Sequence, residues 1–396
     1  MKDVVFTVCS LNYLGKAKVC MASILDDIAK VIIIVDEPRT LGDIPDDVTV
    51  IFACTLDIPN FYSLAFKYDI VEFNTAVKPY VAEILSCKYE KVIYTDPDTY
   101  YFAPISEVLR ELNDDVFLLT PHSLSDPFDE ARPSYLDFLR FGVFNLGFFA
   151  FTSGKKSSAV LRWWRNRLEN DCIYEPAGGF GVDQKIMDLA PVFFENVFVV
   201  RHAGWNVAFW NLHEREIIDR FKVKHRTGSF PLVFAHFSSY QGDGLVAGKQ
   251  TRFEAGDRAD FLQLLSTYAS ALEEGGDDGF DNYSYDEFFN YKLTLMARRF
   301  FRERLRNKYN DQNPFKSSEL FEQLKSLKLL VPATKSTVAP NFNQINAFDS
   351  KRRILTKIHV LLFRLIGVER YMLLMRYFSV FSLFSNHRDV FRSMDN

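Results

Sequence analysis

The sequence predicts an α/β fold with a helical C-terminal appendage, and three observations carry the prediction. Val4 to Ser10 alternates and is rich in β-branched residues, a helical pattern runs from about Lys16 to Lys30, and Val31 to Val35 is a continuous apolar run. Together they read as a βαβ opening whose second strand is covered on both faces. Val92-Ile93-Tyr94 is a short apolar run that stops at Asp96-Pro97-Asp98, a buried strand ending in two carboxylates. Aromatic residues make up 15% of the chain, with 39 Phe, which suits a large packed core.

The length of 396 residues allows one main domain and an appendage. A formal net charge of −4 offers no general basic face, so nucleic acid is not an expected partner. Cys9, Cys20, Cys54, Cys87 and Cys172 are scattered, without Cys-x-x-Cys or zinc spacing, and read as reduced core residues of a cytosolic protein. Met1-Lys2-Asp3 leads straight into a strand, and no apolar run reaches the roughly 18 residues of a membrane helix. The expectation is a cytoplasmic protein without a signal peptide.

Along the chain, Asn12-Tyr13-Leu14-Gly15 turns from the first strand into the first helix without a Gly-x-Gly-x-x-Gly, which disfavours a dinucleotide fold. The helix N-terminus there can still receive a nucleotide. Asp36-Glu37-Pro38 ends the second strand, either as a plain turn or as a ligand-binding acid. Val48 to Phe52 is a third strand, and Phe61 to Tyr68 and Glu72 to Cys87 are helical, with Lys78-Pro79-Tyr80 opening a helix to about Cys87. Past the acid pair come a short helix, Ile105 to Leu112, and a strand, Val116 to Thr120. The acidic loop from Asp126 to Arg132 reads as a surface excursion. Phe144-Asn145-Leu146-Gly147-Phe148-Phe149 is an aromatic strand interrupted by an Asn that must find partners and a Gly that permits close approach. Lys155 to Asn170 is an amphipathic helix, and Gly178-Gly179-Phe180-Gly181 is a flexible lead into Asp183-Gln184, either an N-cap and a helical Gln or a delivered functional pair. Phe234-Ala235-His236 is a late apolar strand ending in a histidine.

Pro97 fixes its own φ and pushes Asp96 into extended backbone, so the two carboxylates sit on a stiff turn at a strand's C-terminal edge, where open α/β sheets bind ligands. Their mutual repulsion is relieved by a divalent cation, and hard oxygen donors suit manganese or magnesium.

This arrangement of a basic helix, a strand and an Asp-x-Asp resembles a glycosyltransferase of the GT-A (Rossmann-like) fold, and within it the glycogenin-like, retaining family 8 type. The resemblance covers roughly residues 1 to 245. It implies that Asp96, Asp98 and His236 hold Mn2+ (or Mg2+) and that Lys78 touches the donor diphosphate. It further implies that Thr7, Ser10, Asn12 and Asp36 bind base and ribose, that Asn145 and Gly147 line the sugar pocket, that Asn206 is among the donor-binding residues, and that Asp183 and Gln184 stand at the donor sugar and its anomeric carbon. The expected activity is transfer from a nucleotide-sugar, a UDP-sugar by preference, to a saccharide or lipid-linked saccharide in polysaccharide biosynthesis, with retention. The family's Lys-Pro-Trp after the histidine is missing from Phe237 to Gly244, and Lys249 is the candidate substitute.

Each assignment has a plainer counterpart: a solvated lysine for Lys78, a structural histidine for His236. Asp96-Pro97-Asp98-Thr99 also matches the nucleophile strand of haloacid-dehalogenase-like phosphatases, and a non-catalytic nucleotide-sugar scaffold is a third reading. The expected organisation is a catalytic domain over 1–247, a helical extension with linkers over 248–350, and a basic amphipathic region over 351–396. In the extension, Asp257 to Glu274 and an Arg-rich Phe288 to Tyr309 read as helices, and Gly275 to Gly279 as a break. Lys351 to Arg392 carries nine Lys or Arg against two acids. Arg352, Arg353, Lys357, Arg364, Arg370 and Arg376 recur among apolar residues at spacings that suit a helix docked on an anionic membrane surface at the cytoplasmic face, or packed on the core or a second copy.

Overall fold

The computed structural model describes residues 2–219, 222–240, 249–254, 256–275, 283–310, 312–333 and 349–394, without the side chains of Asp219 and 349–355. The chain forms two compact units, Met1–Asp286 and Glu287–Asn396.

The first unit opens with β1 (Asp3–Cys9), α1 (Leu14–Ala22), β2 (Ala29–Ile34), β3 (Val48–Phe52), α2 (Phe61–Lys67), α3 (Ile70–Ser86) and β4 (Lys91–Thr95). It continues through β5 (Thr99–Tyr101), α4 (Ser106–Glu111), β6 (Phe117–Pro121), α5 (Tyr135–Phe141), β7 (Phe144–Thr152) and α6 (Lys155–Asp171). A hairpin of β8 (Tyr174–Glu175) and β9 (Phe180–Gly181), then α7 (Ala190–Phe193) and β10 (Val197–Val199), lead to a meander of β11 (Glu216–Asp219), β12 (Lys222–His225) and β13 (Gly228–Pro231). Strand β14 (Phe234–His236) and helix α8 (Ala259–Gly275) complete it.

Seven strands make one sheet in the order β10-β6-β7-β4-β1-β2-β3. All its pairings are parallel except those of β7, which runs antiparallel to both β4 and β6. The period of two along each strand sorts its side chains to two faces. Val5, Ile93 and Phe148 point to one face and join Ile32, Leu14 and Trp205 in a buried cluster. Phe6, Tyr94 and Phe149 point to the other, where Tyr94 and Phe149 stack at 5.0 Å between centroids and Trp164 of α6 meets Phe149 edge-on at 5.2 Å. Aromatic side chains so buried contribute about 1.5–3 kcal/mol each.

Three sequence expectations change. The first helix ends at Ala22, capped by Ser23, and 23–28 is not helical because Asp26 turns away to accept the N–H groups of Ile105 and Ser106. Lys78 and Pro79 do not open a helix; they lie inside α3, which starts eight residues earlier at a capping box made by Asp69 and Glu72. The Arg-rich helix expected from Phe288 is preceded by a strand pair, Glu287–Phe288 with Tyr291–Leu293, turned by Phe289 and Asn290 at positive φ. Helix begins only at Leu295, where Thr294 caps it. In this second unit a long helix, Asp349–Phe381, breaks at Gly367, whose φ of 76° is a left-handed conformation that glycine adopts at no steric cost. Arg352, Arg353, Ile354 and Leu355 have side chains outside the described set, as do most of the expected linkers. None of the five cysteines forms a disulfide among the described residues. No described helix is long and apolar enough to cross a membrane.

Candidate functional site

The turn after β4 is pinned by backbone at both ends. Asp96 N–H donates to the Gly147 carbonyl at 2.7 Å, Thr99 N–H to the Asp96 carbonyl at 3.1 Å, and Phe237 N–H to the Asp98 carbonyl at 2.8 Å. β5 then pairs antiparallel with β14, which sets His236 directly opposite Thr99. That pairing brings an imidazole 138 residues distant to the acid pair: His236 Nε2 lies 3.0 Å from Asp98 Oδ1 and 3.7 Å from Asp96 Oδ2. One ligand atom from each of Asp96, Asp98 and His236 falls within 4.8 Å of the others.

This donor set fits a hard divalent cation. Two carboxylates supply oxygen, and the remaining ring nitrogen of His236, Nδ1, is 3.3 Å from Asn145 Oδ1, which fixes the ring so that Nε2 faces the acids. The missing side chain of Gly147 lets these groups pack directly against its backbone. A Cβ there would meet His236 Cε1 at 2.4 Å, and Asn145 Oδ1 and Asp96 Oδ2 at 2.8 Å each. Burial opposes ionisation of Asp98, but the His236 imidazole beside it, with help from Lys16, brings its carboxyl down to about 2. Burial likewise works against a proton on His236, and the Asp98 carboxylate outweighs it and raises the imidazole.

Lys78 is the second centre. It is buried inside α3, and its Nζ lies 2.8 Å from Asp183 Oδ2, 3.3 Å from Asp96 Oδ1 and 3.1 Å from the Leu146 carbonyl, over the ring of Tyr94 at 4.6 Å. Burial pulls the ammonium down, and the two carboxylates more than offset that, so it is raised. Asp183 itself is pushed up to about 6 by burial, against the pull of Lys78. Its backbone carbonyl accepts the Trp164 indole N–H at 3.0 Å, and Gln184 Nε2 donates to the Phe141 carbonyl at 2.9 Å, so the Asp183 backbone and the Gln184 side chain are held.

Asn145 joins His236 to a buried amide network. Asn206 donates to Asn145 Oδ1 at 3.1 Å and to Thr120 Oγ1 at 3.3 Å, and Asn145 Nδ2 sits 3.5 Å from His122 Nε2. Asn206 takes φ 54°, a left-handed conformation that Asn tolerates.

Of the expected base and ribose residues, Ser10, Asn12 and Asp36 follow the ends of β1 and β2. Ser10 donates to Asn12 at 2.6 Å. Asp36 is buried, and its two oxygens accept the N–H groups of Leu11 at 2.8 Å and Ser284 at 2.7 Å, so its carboxylate is already committed to the protein's own backbone. Thr7 is buried within β1. Lys249 donates to Ser239 Oγ at 2.5 Å, and Lys16 to the Tyr240 carbonyl at 3.1 Å. Both ammonium groups feel the Asp98 carboxylate.

Sequence reasoning missed Tyr94, whose hydroxyl donates to Asp96 Oδ1 at 2.5 Å, along with Lys16, His122 and Trp210. Tyr94 reads as one more core aromatic in an apolar run. Only the alternation that places it on the Lys78 side of the sheet signals otherwise.

No protein-family profile matches the chain. Two curated relatives from Bacillus subtilis (strain 168) do: Uncharacterized protein YfnF, 28% identical over 178 residues, and Uncharacterized protein YfnD, 26% identical over 229. The matches take in 44% and 54% of this chain, and 58% and 70% of those proteins. Among solved structures, the galactosyltransferase LgtC in complex with donor and acceptor sugar analogues is similar over 69% of this chain and 95% of its own, with a TM-score of 0.38 and 14% identity. A glycosyltransferase involved in glycosylation of the major capsid of PBCV-1 is similar over 69% of this chain and 98% of its own, at a TM-score of 0.34 and 10% identity.

Proposed function

We propose that the protein is a metal-dependent glycosyltransferase of the GT-A type that moves a hexose from a nucleotide-sugar, by preference a UDP-sugar, to a saccharide or lipid-linked saccharide. The observation that carries this reading is the convergence of Asp96, Asp98 and His236 within 4.8 Å, with the Lys78 ammonium 3.3 Å from Asp96 at the end of β4. A divalent cation bound there, Mn2+ or Mg2+, would supply Lewis-acid neutralisation of charge on a leaving diphosphate. Asp96, Asp98 and His236 hold it, and Tyr94 and Asn145 orient two of those three. Lys78 adds a fixed positive charge for the same leaving group, already desolvated and so without reorganisation cost at the moment of reaction. Asp183 and Gln184 stand at the donor sugar, with Asn145 and Gly147 along its pocket and Asn206 among the donor-binding residues.

Burial raises Asp183 and strengthens it as a base, but its Oδ2 is engaged by the Lys78 ammonium at 2.8 Å and so is turned away from an acceptor hydroxyl. That favours retention, in which the departing diphosphate oxygen takes the acceptor proton. The third donor, His236, favours this reading over the phosphatase one. Thr7, Ser10, Asn12 and Asp36 are assigned to base and ribose through their backbone and Ser10–Asn12, since Asp36 itself is taken. We assign catalysis to 1–247, with 248–350 as extension and 351–396 as the part that meets an anionic membrane at the cytoplasmic face.

A thermal-shift screen of nucleotide-sugars with Mn2+, followed by a transfer assay on the ligands that stabilise, tests the proposal. It predicts stabilisation by at least one nucleotide-sugar that is lost when EDTA is added. Stabilisation by none, with phosphate release from phosphomonoesters instead, would overturn it.

A further inference from the structure

We infer that Arg252 is a positioning residue of the donor site: clamped by the acidic loop over 129–133, it holds Lys249 on the turn after His236, where Lys249 and Lys16 take the phosphates of a nucleoside diphosphate. The inference rests on the transferase reading above. The turn over 237–240 is tied to the acid pair, since Phe237 N–H donates to the Asp98 carbonyl at 2.8 Å and Tyr240 N–H to the Phe237 carbonyl at 3.0 Å. Two ammonium groups sit on it: Lys249 Nζ donates to Ser239 Oγ at 2.5 Å and Lys16 Nζ to the Tyr240 carbonyl at 3.1 Å. Both acceptors are neutral, whereas Lys78 is already held by the carboxylates of Asp96 and Asp183. Partial burial lowers both ammonium groups, and the carboxylate that acts against it is Asp98, a candidate metal ligand. With Asp98 engaged by a cation, the two lysines keep their charge without a counter-ion, and a diphosphate supplies the negative charge that such a place favours.

What keeps Lys249 there lies three residues further along the chain. Arg252 sets a bidentate fork on Asp129, Nε to Oδ2 at 3.0 Å and Nη2 to Oδ1 at 2.6 Å, and Nη2 also donates to the Ala131 and Pro133 carbonyls at 3.1 and 3.0 Å. The two segments are laced by backbone as well: Arg132 N–H donates to Thr251 Oγ1 at 2.8 Å, and Thr251 N–H to the Arg132 carbonyl at 3.2 Å. The loop is anchored in turn by Glu214, whose carboxylate accepts the Leu124 N–H at 2.9 Å and the Ser125 hydroxyl at 2.6 Å. The Arg252 side chain is 9% exposed and that of Asp129 44%. A pair open to water on one side adds little stability, but a planar fork on a carboxylate and two carbonyls fixes direction. Lysine is a point charge on a flexible stem, and a fixed backbone nearby removes part of the freedom that the stem would otherwise lose on meeting a phosphate. The acidic loop is thus a fastening for a cationic segment and not only a surface excursion.

The test is calorimetry with Mn2+ and the tightest-binding of UDP, GDP, ADP and dTDP on the wild type, Lys249→Gln, Arg252→Gln and the double variant. Each single change should weaken that nucleotide by about tenfold, and the double variant should lose less than about twofold beyond Lys249→Gln, because both act through one ammonium. Mn2+ alone should bind Arg252→Gln and the wild type within about twofold, which a general loosening of the site would not leave intact. Nucleotide affinity unchanged in either single variant, or losses that add in the double variant, overturns the inference: the clamp is then a surface ion pair, or acts by a route other than Lys249. If Arg252→Gln does not fold, Asp129→Asn takes its place, since it leaves Arg252 the Ala131 and Pro133 carbonyls. It should cost about fivefold in the wild-type background and less than about twofold on top of Lys249→Gln, and equal costs in both backgrounds contradict the inference. Wild type that binds none of the four nucleotides with Mn2+ overturns the transferase reading itself, which is visible before any variant is made.

Discussion

Removing the Lys78 ammonium leaves Asp183 buried with no cation and takes from Asp96 its nearest positive charge. Lys78→Met should therefore cost about 3–5 kcal/mol of stability, read as a drop in the urea midpoint, and adding Asp183→Asn should recover part of it. An unchanged midpoint would mean that the pair is not desolvated as described. At Gly147 the effect is on geometry: Gly147→Ala places a methyl 2.4 Å from His236 Cε1, so the ring must move. Mn2+ affinity should fall by about 10–100-fold with little change in the far-UV spectrum, and equal affinity by calorimetry would separate His236 from the cation. At this scale the sequence shows Asp96 and Asp98 well, because a proline between acids at a strand's end is a local pattern. His236 was reachable only through resemblance, since the β5 and β14 pairing that delivers it is contributed by residues far apart in the chain. The ionic contact between Lys78 and Asp183 has no local signature at all.

The strands β1 to β4 were legible because each is a β-branched run bounded by turn residues. Helix α3 was legible from Glu72, two residues inside its start at Ile70, while the second opening read at Lys78-Pro79 was false, because Pro79, a residue usually found in a first turn, lies in the helix interior. In the second unit the helix over 349–381 leaves Leu361, Leu365, Leu373 and Phe378 between 56% and 72% exposed, beside exposed Lys357, Arg364, Arg370 and Arg376 and the single acid Glu369 between Lys357 and Phe381. A second copy would bring like charges together, whereas an anionic surface would neutralise them. The full-length protein should sediment with phosphatidylserine vesicles at low salt, and changing those four bases to Glu should abolish it, at about 1 kcal/mol per base removed. Vesicle binding that ignores both salt and charge reversal would assign this element to protein contacts.

Taken whole, the first unit buries several histidines as neutral rings. Burial brings His122 down to about 4, and also His202, so the unfolded chain takes up these protons first as pH falls below 6.5. Stability should be complete above that value and decline through pH 4, by roughly 3 kcal/mol for His122 alone. Urea midpoints at pH 7, 5.5 and 4.5 check this, and His122→Gln should flatten the curve; a parallel fall in both proteins would place the acid lability elsewhere. The central claim, a cation held by Asp96, Asp98 and His236 for transfer from a nucleotide-sugar, is met most directly by turnover of the best-binding nucleotide-sugar in the presence and absence of EDTA. Turnover should vanish with EDTA, return with Mn2+, and be absent from a folded Asp98→Ala protein at any Mn2+ concentration; turnover that persists in EDTA, or in Asp98→Ala, would contradict it.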